Sequence, residues 1–203
     1  ITSWTPVATR RIAARIIPAT LEIMDSTTIN CVEDYAGIGL PRQMAALLLI
    51  EVDGHPAVVA EEAAGVQKIL EEVRADEIHQ AGNAEEAARL TAARRTALSA
   101  VARVSPTTIL EDATVPRNRL AETFAEIERL KEKFQVRVAT FGHAGDGNLH
   151  PTALTDERNP GEIEKVHAFF DELYEKVLSL GGTVSGEHGI GIAKKGYLLR
   201  QLG

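Results

Sequence analysis

The chain has 203 residues, 44% of them hydrophobic, and a formal net charge of −7, which is enough for one domain with a real core. Its acidic balance and lack of a long basic run exclude nucleic acid as a partner, and no apolar stretch approaches the roughly 20 residues of a membrane span. The single cysteine, Cys31, rules out an internal disulfide framework and reads as a small buried residue in a reducing compartment. With no signal-peptide pattern at the start, a cytoplasmic protein is expected, peripheral attachment at the inner membrane being the alternative.

In chain order, residues 1–41 show little periodicity beyond a short helix at 7–17 closed by Pro18, and read as a connector. Residues 42–203 read as the main domain. The apolar run 47–52, interrupted only by Glu51 and bounded by Asp53-Gly54, suits a buried strand. Residues 61–74 repeat at helical spacing through Val66, Ile69, Leu70 and Val73. The Ala- and Glu-rich stretch 84–104 favours helix and stops at Ser105-Pro106, and 107–112 is the next strand candidate. Pro116 opens a helix whose buried stripe is Leu120, Phe124, Ile127, Leu130 and Phe134. A strand at 136–141, a turn at Asp146-Gly147 and a partner strand ending near Leu154 form a hairpin. Ile163, Val166, Phe170, Leu173, Val177 and Leu180, spaced alternately by three and four, mark the last long helix. This pattern predicts an α+β domain: a mostly antiparallel sheet with helices packed on one face.

Two segments carry chemistry. In HAGDGNLH (143–150), a two-residue loop at Asp146-Gly147 sets His143 opposite His150. Opposed Cβ atoms lie about 4.5–5.5 Å apart, so both imidazoles can converge on one metal ion; a surface hairpin with two unrelated histidines is the plain alternative. In GGTVSGEHGIG (181–191), Glu187 can supply a third, oxygen ligand, and His188 can serve as a general base because histidine titrates near neutrality. A glycine-rich turn before a helix is the alternative there. Neither segment is a dinucleotide fingerprint or a P-loop, and no H-E-x-x-H helix supports a metallopeptidase. Arg94 and Arg95 can grip an anionic substrate or form a solvated helix face, and Lys194 and Lys195 carry the same ambiguity. Trp4 reads as a packing residue.

Taken together, HAGDGNLHP (143–151) and GGTVSGEHGIG (181–191) resemble the two signatures of the FAD-linked oxidase C-terminal domain of vanillyl-alcohol-oxidase-type flavoproteins. The resemblance continues through IIPATLEIMD (16–25), LLLIEVDG (47–54) and AARRTALSAVARVSPTTILEDATVPR (92–117), and is greatest to the branch that oxidises glycolate and D-lactate. It implies a ferredoxin-like cap domain that covers the substrate face of FAD, the flavin being bound mainly by a preceding domain missing from this chain. A chain also truncated at its C-terminus, and inactive in isolation, is expected. Carried over by position, His143 and His150 match the paired metal-ligand histidines, Glu187 the carboxylate ligand and His188 the proton acceptor, with zinc as the expected ion. Arg94 matches a substrate-carboxylate arginine, although Thr91 stands where the family pattern has tryptophan. Relatives acting on hydroxyglutarate have a lysine at the position of Leu110, so the resemblance favours a small 2-hydroxy acid, glycolate or D-lactate, converted to the 2-oxo acid. Other subunits of a glycolate oxidase complex are the implied partners, and a non-catalytic metal-binding or assembly module is the alternative function.

Overall fold

The computed structural model describes residues 16–202. Trp4 and all but the last two residues of the helix expected at 7–17 lie outside them. Chain order is β1 (Thr20–Asp25), α1 (Ser26–Ala36), β2 (Ala46–Glu51), α2 (Pro56–Glu72), α3 (Ala84–Arg95), α4 (Ala97–Val101), β3 (Thr107–Leu110) and β4 (Ala113–Thr114). A 3-10 turn, Arg117–Arg119, then leads into α5 (Leu120–Phe134), β5 (Arg137–His143), β6 (Asn148–Thr155), α6 (Pro160–Ser179) and α7 (Lys195–Leu202). The sheet runs β2-β1-β5-β6-β3, with β4 also on β6, and every pairing is antiparallel.

The antiparallel α+β class follows the sequence pattern, but helices cover both faces of the sheet rather than one. Alternation along β1 sends Leu21 and Ile23 to one face, where they join Val138, Leu149 and Ala153 under α5 and α6. Phe124, Ile127 and Leu130 of α5 and Phe169, Leu173 and Tyr174 of α6 fill that layer, each large apolar side chain contributing about 1.5–3 kcal/mol by leaving water. Met24, Ala139, Phe141 and Leu154 face the other way, against Ile29, Cys31 and Val32 of α1 and Ala93, Ala97, Ala100 and Val101 of α3 and α4. Small alanine side chains let α4 pack closely on α1, which itself lies on the sheet, and Thr96 breaks the expected single helix in two. Cys31 is buried and free, as expected.

Residues 20–36, read from the sequence as connector, are instead integral to the domain. β1 is an interior strand between β2 and β5, and Asp25 ends it by capping α1, its Oδ1 accepting from Thr28 N at 2.7 Å and Thr28 Oγ1 at 2.7 Å.

The hairpin register differs from the two-residue loop. His143 pairs with Asn148 and Phe141 with His150, so residues 144–147 form the loop. Amides of Asp146 and Gly147 both donate to His143 O, at 3.1 and 3.0 Å. Gly147 has φ 79°, and a Cβ there would sit 2.0 Å from Val115 O. Gly147→Ala is therefore expected to destabilise the chain by more than the roughly 1–2 kcal/mol of the left-handed conformation alone, because the Val115 carbonyl must also move; urea unfolding measures the difference.

Candidate metal centre

Shifting the register by two residues preserves the face on which each side chain lies. His143 and His150 are therefore diagonal neighbours on one face, ring centroids 5.4 Å apart in an edge-on arrangement. The glycine-rich segment brings Glu187 over them. Its Oε1 lies 3.1 Å from His150 Nε2, 3.5 Å from His143 Nε2 and 3.5 Å from His188 Nε2. One donor atom from each of His143, His150 and Glu187 falls within 4.8 Å of the others. Tetrahedral zinc with bonds near 2.0–2.1 Å holds its ligand atoms roughly 3.3 Å apart, so the two carboxylate-to-imidazole separations suit a first-row divalent ion.

The protonation chemistry fits as well. Burial first, then the neighbouring His188 and His143 rings, depress His150 to about 4, against the opposing pull of Glu187 and Asp112. At neutral pH it is an uncharged imidazole, the form a metal needs. Its Nδ1 is buried without a hydrogen-bond partner. His188 stacks on His150 at 4.8 Å and 12°, more open to solvent than either hairpin histidine, and stands outside the converging donor set.

The glycine-rich loop is held by a residue to which the sequence reading gave no role. Asp112 Oδ2 accepts from Ser185 Oγ (2.7 Å) and from the amides of Gly186 (2.9 Å), Glu187 (3.0 Å) and His188 (2.8 Å). Burial raises the Asp112 pKa, but these four bonds outweigh it and bring the group down to about 2. Gly186 is required here, since a Cβ would meet Thr114 Oγ1 at 2.3 Å and the Asn148 amide nitrogen at 2.7 Å. Lys194, an open candidate for substrate binding, is buried and bonds Asp112 O (2.9 Å), Val184 O (3.0 Å) and Glu111 Oε2 (3.1 Å), which makes it a strut beneath the loop. Lys195 and Arg95 are exposed.

Arg94 reaches the site. Its Nε donates to Glu22 Oε2 at 2.6 Å, and its guanidinium lies over the Phe141 ring at 5.2 Å. The other oxygen of Glu22 lies 2.7 Å from His143 Nδ1. Glu22 was missed from sequence, where it sits in a segment read as connector.

A family model described as FAD linked oxidases, C-terminal domain, matches residues 5–203. The chain belongs to this family. Glycolate oxidase subunit GlcD of Bacillus subtilis is 51% identical over 191 residues, covering 94% of this chain and 41% of that protein. A D-lactate dehydrogenase of Archaeoglobus fulgidus is 32% identical over 184 residues, covering 90% and 39%. The chain thus spans about two fifths of the length of these curated relatives, both oxidoreductases by name. An alkyldihydroxyacetonephosphate synthase structure shares the fold, with a TM-score of 0.61 over 98% of this chain and 41% of that one at 14% identity. Among the described residues no helix is long and apolar enough to cross a membrane.

Two pH effects follow for this FAD-linked oxidase domain. Asp112 titrates lower folded than at its ordinary 3.8, so its contribution is complete above about pH 4 and lost as pH falls to about 2, roughly 2 kcal/mol in all. Denaturant titrations across that window should show this slope in the parent and its absence in Asp112→Asn, which should also be less stable at pH 7 by about 2 kcal/mol. His150 is likewise depressed from 6.5, so between about pH 6.5 and 4 the unfolded chain binds a proton that the folded one refuses, and stability falls with pH. His150→Gln should flatten that part of the curve.

Proposed function

We propose that this chain is the substrate-side cap of an FAD-dependent 2-hydroxy-acid dehydrogenase that converts glycolate or D-lactate to the 2-oxo acid. The reading is carried by the convergence of His143, His150 and Glu187 beside a separate imidazole, His188, and a partly buried guanidinium, Arg94. Names of the relatives, glycolate oxidase and D-lactate dehydrogenase, support the substrate class. The span of two fifths supports assigning flavin binding mainly to polypeptide outside these 203 residues.

His143, His150 and Glu187 would hold a divalent ion, for which zinc is the candidate; when bound, it supplies Lewis-acid polarisation of the substrate hydroxyl and carboxylate oxygens. FAD, when bound, supplies the hydride acceptor. The chain's own residues do the rest. Arg94 presents guanidinium N–H groups to the substrate carboxylate while Glu22 fixes its Nε, and His188 takes the hydroxyl proton at Nε2. Stacking on His150 holds the His188 ring in one orientation, which positions that nitrogen before substrate arrives. Other subunits of a glycolate oxidase complex are the proposed protein partners, on the strength of the name subunit GlcD. The proposed location is cytoplasmic, with peripheral attachment at the inner membrane as the other arrangement.

Metal analysis of the purified chain beside a His143→Ala, His150→Ala double variant is the direct test. Stoichiometric zinc in the parent and none in the variant is expected; equal metal in both would remove the ligand assignment. In the flavin-loaded enzyme, His188→Ala should lower kcat by about 10²–10⁴-fold with FAD content retained. Turnover unchanged by that substitution would remove His188 as the base, whereas a purified chain that retains no FAD would favour the reading of a non-catalytic metal-binding or assembly module.

A further inference from the structure

We propose that Glu22 is the positioning residue of this site, setting the tautomer and orientation of His143 and tying it to Arg94 through one carboxylate. The inference rests on the metal reading above but adds a residue from a different strand. β1 and β5 are paired with Glu22 directly opposite His143, so the two side chains share a face and meet without strain. The two oxygens of Glu22 are divided: Oε1 lies 2.7 Å from His143 Nδ1, and Oε2 accepts from Arg94 Nε at 2.6 Å. Glu22 and Arg94 side chains retain only 13% and 17% exposure, so neither wanders in solvent.

Each contact has a chemical consequence. A carboxylate can only accept from a neutral imidazole, so His143 carries its proton on Nδ1 and directs the Nε2 lone pair toward Glu187 and His150. Were the proton on Nε2, that nitrogen could not ligate a cation. Holding the ring nitrogen remote from the ligand position is how a carboxylate fixes a metal-binding histidine. Because the same carboxylate anchors Arg94, the ion-binding histidine and the guanidinium that faces substrate share a single support. The Arg94 charge also offsets that of Glu22, so the support adds no net charge to the site.

The test uses two readouts. Nitrogen-15 NMR of histidine-labelled, metal-free chain reports the His143 tautomer; competition with a chromogenic chelator reports zinc affinity. In the parent His143 should be protonated on Nδ1. In Glu22→Ala it should populate the Nε2–H form, and zinc affinity should fall about 10–100-fold. Glu22→Gln, which keeps one carbonyl acceptor, should show a smaller loss. Circular dichroism checks that each variant folds.

An Nε2–H tautomer in the parent overturns the proposal with no variant needed, so it remains falsifiable even if the Glu22 variants unfold. A tautomer unchanged in Glu22→Ala, or a shifted tautomer with zinc affinity retained, also overturns it. Failure of the parent to bind zinc while the tautomer still responds to Glu22 sinks the metal reading instead, and leaves Glu22 as the group that orients His143.

Discussion

One carboxylate oxygen organises the end of the molecule where the candidate site lies. Asp112 Oδ2 gathers a hydroxyl and three consecutive amides from Ser185 to His188. A loop this rich in glycine has high conformational entropy when free. Bonds to a charged acceptor are the stronger kind, and four of them on one atom offset the cost of burying Asp112. Lys194 reinforces the anchor by joining the Asp112 and Val184 carbonyls to Glu111. Glu187 and His188 therefore take their positions from the sheet through the short segment joining β3 to β4, rather than from any rigidity of their own.

The other half of the site comes from three neighbouring strands. β1, β5 and β6 are adjacent in the sheet, and they place Glu22, His143 and His150 on one face. That face is also packed by α1, α3 and α4, and Arg94, at the end of α3, enters from the helix layer. Helices on both sides of the sheet are thus part of the site's construction. A one-sided arrangement would leave His150 wet, whereas here burial keeps it uncharged at neutral pH.

Much of this was readable from residues alone. Strong period-3.6 stripes located α5 and α6, and apolar runs located β2, β3, β5 and β6. The hairpin loop was misjudged by two residues because Asp146-Gly147 carries the signal of a tight turn while both amides in fact close onto His143 O. An error of two keeps side-chain parity, so the histidine pairing survived it. β1 escaped notice for a different reason. Its sequence, Thr-Leu-Glu-Ile-Met-Asp, spends Glu22 on the site and Asp25 on a helix cap, and these polar residues at enclosed positions break the apolar pattern of a central strand. Functional demand and legible patterning conflict there. Asp112 and Glu22 meet their partners across 73–76 and 121 residues of chain, separations over which local pattern carries no information.

On the proposed function, the supply of cations bears on why a small monocarboxylate would suit the site. A divalent ion on two neutral histidines and Glu187 leaves one net positive charge. Glu22 and Arg94 cancel each other, the buried Lys194 is matched by Glu111 at 3.1 Å, and the ionised Asp112 beneath the loop brings the formal sum to zero. One substrate carboxylate would then be held by the ion and by the remaining N–H groups of Arg94 rather than by any excess of positive charge. A second carboxylate would need another cation, and Leu110, only partly buried beside Asp112, offers none. The preference for a monoanionic 2-hydroxy acid would then rest on what the site lacks as much as on Arg94, because an unpaired charge held away from water costs more than a missing contact.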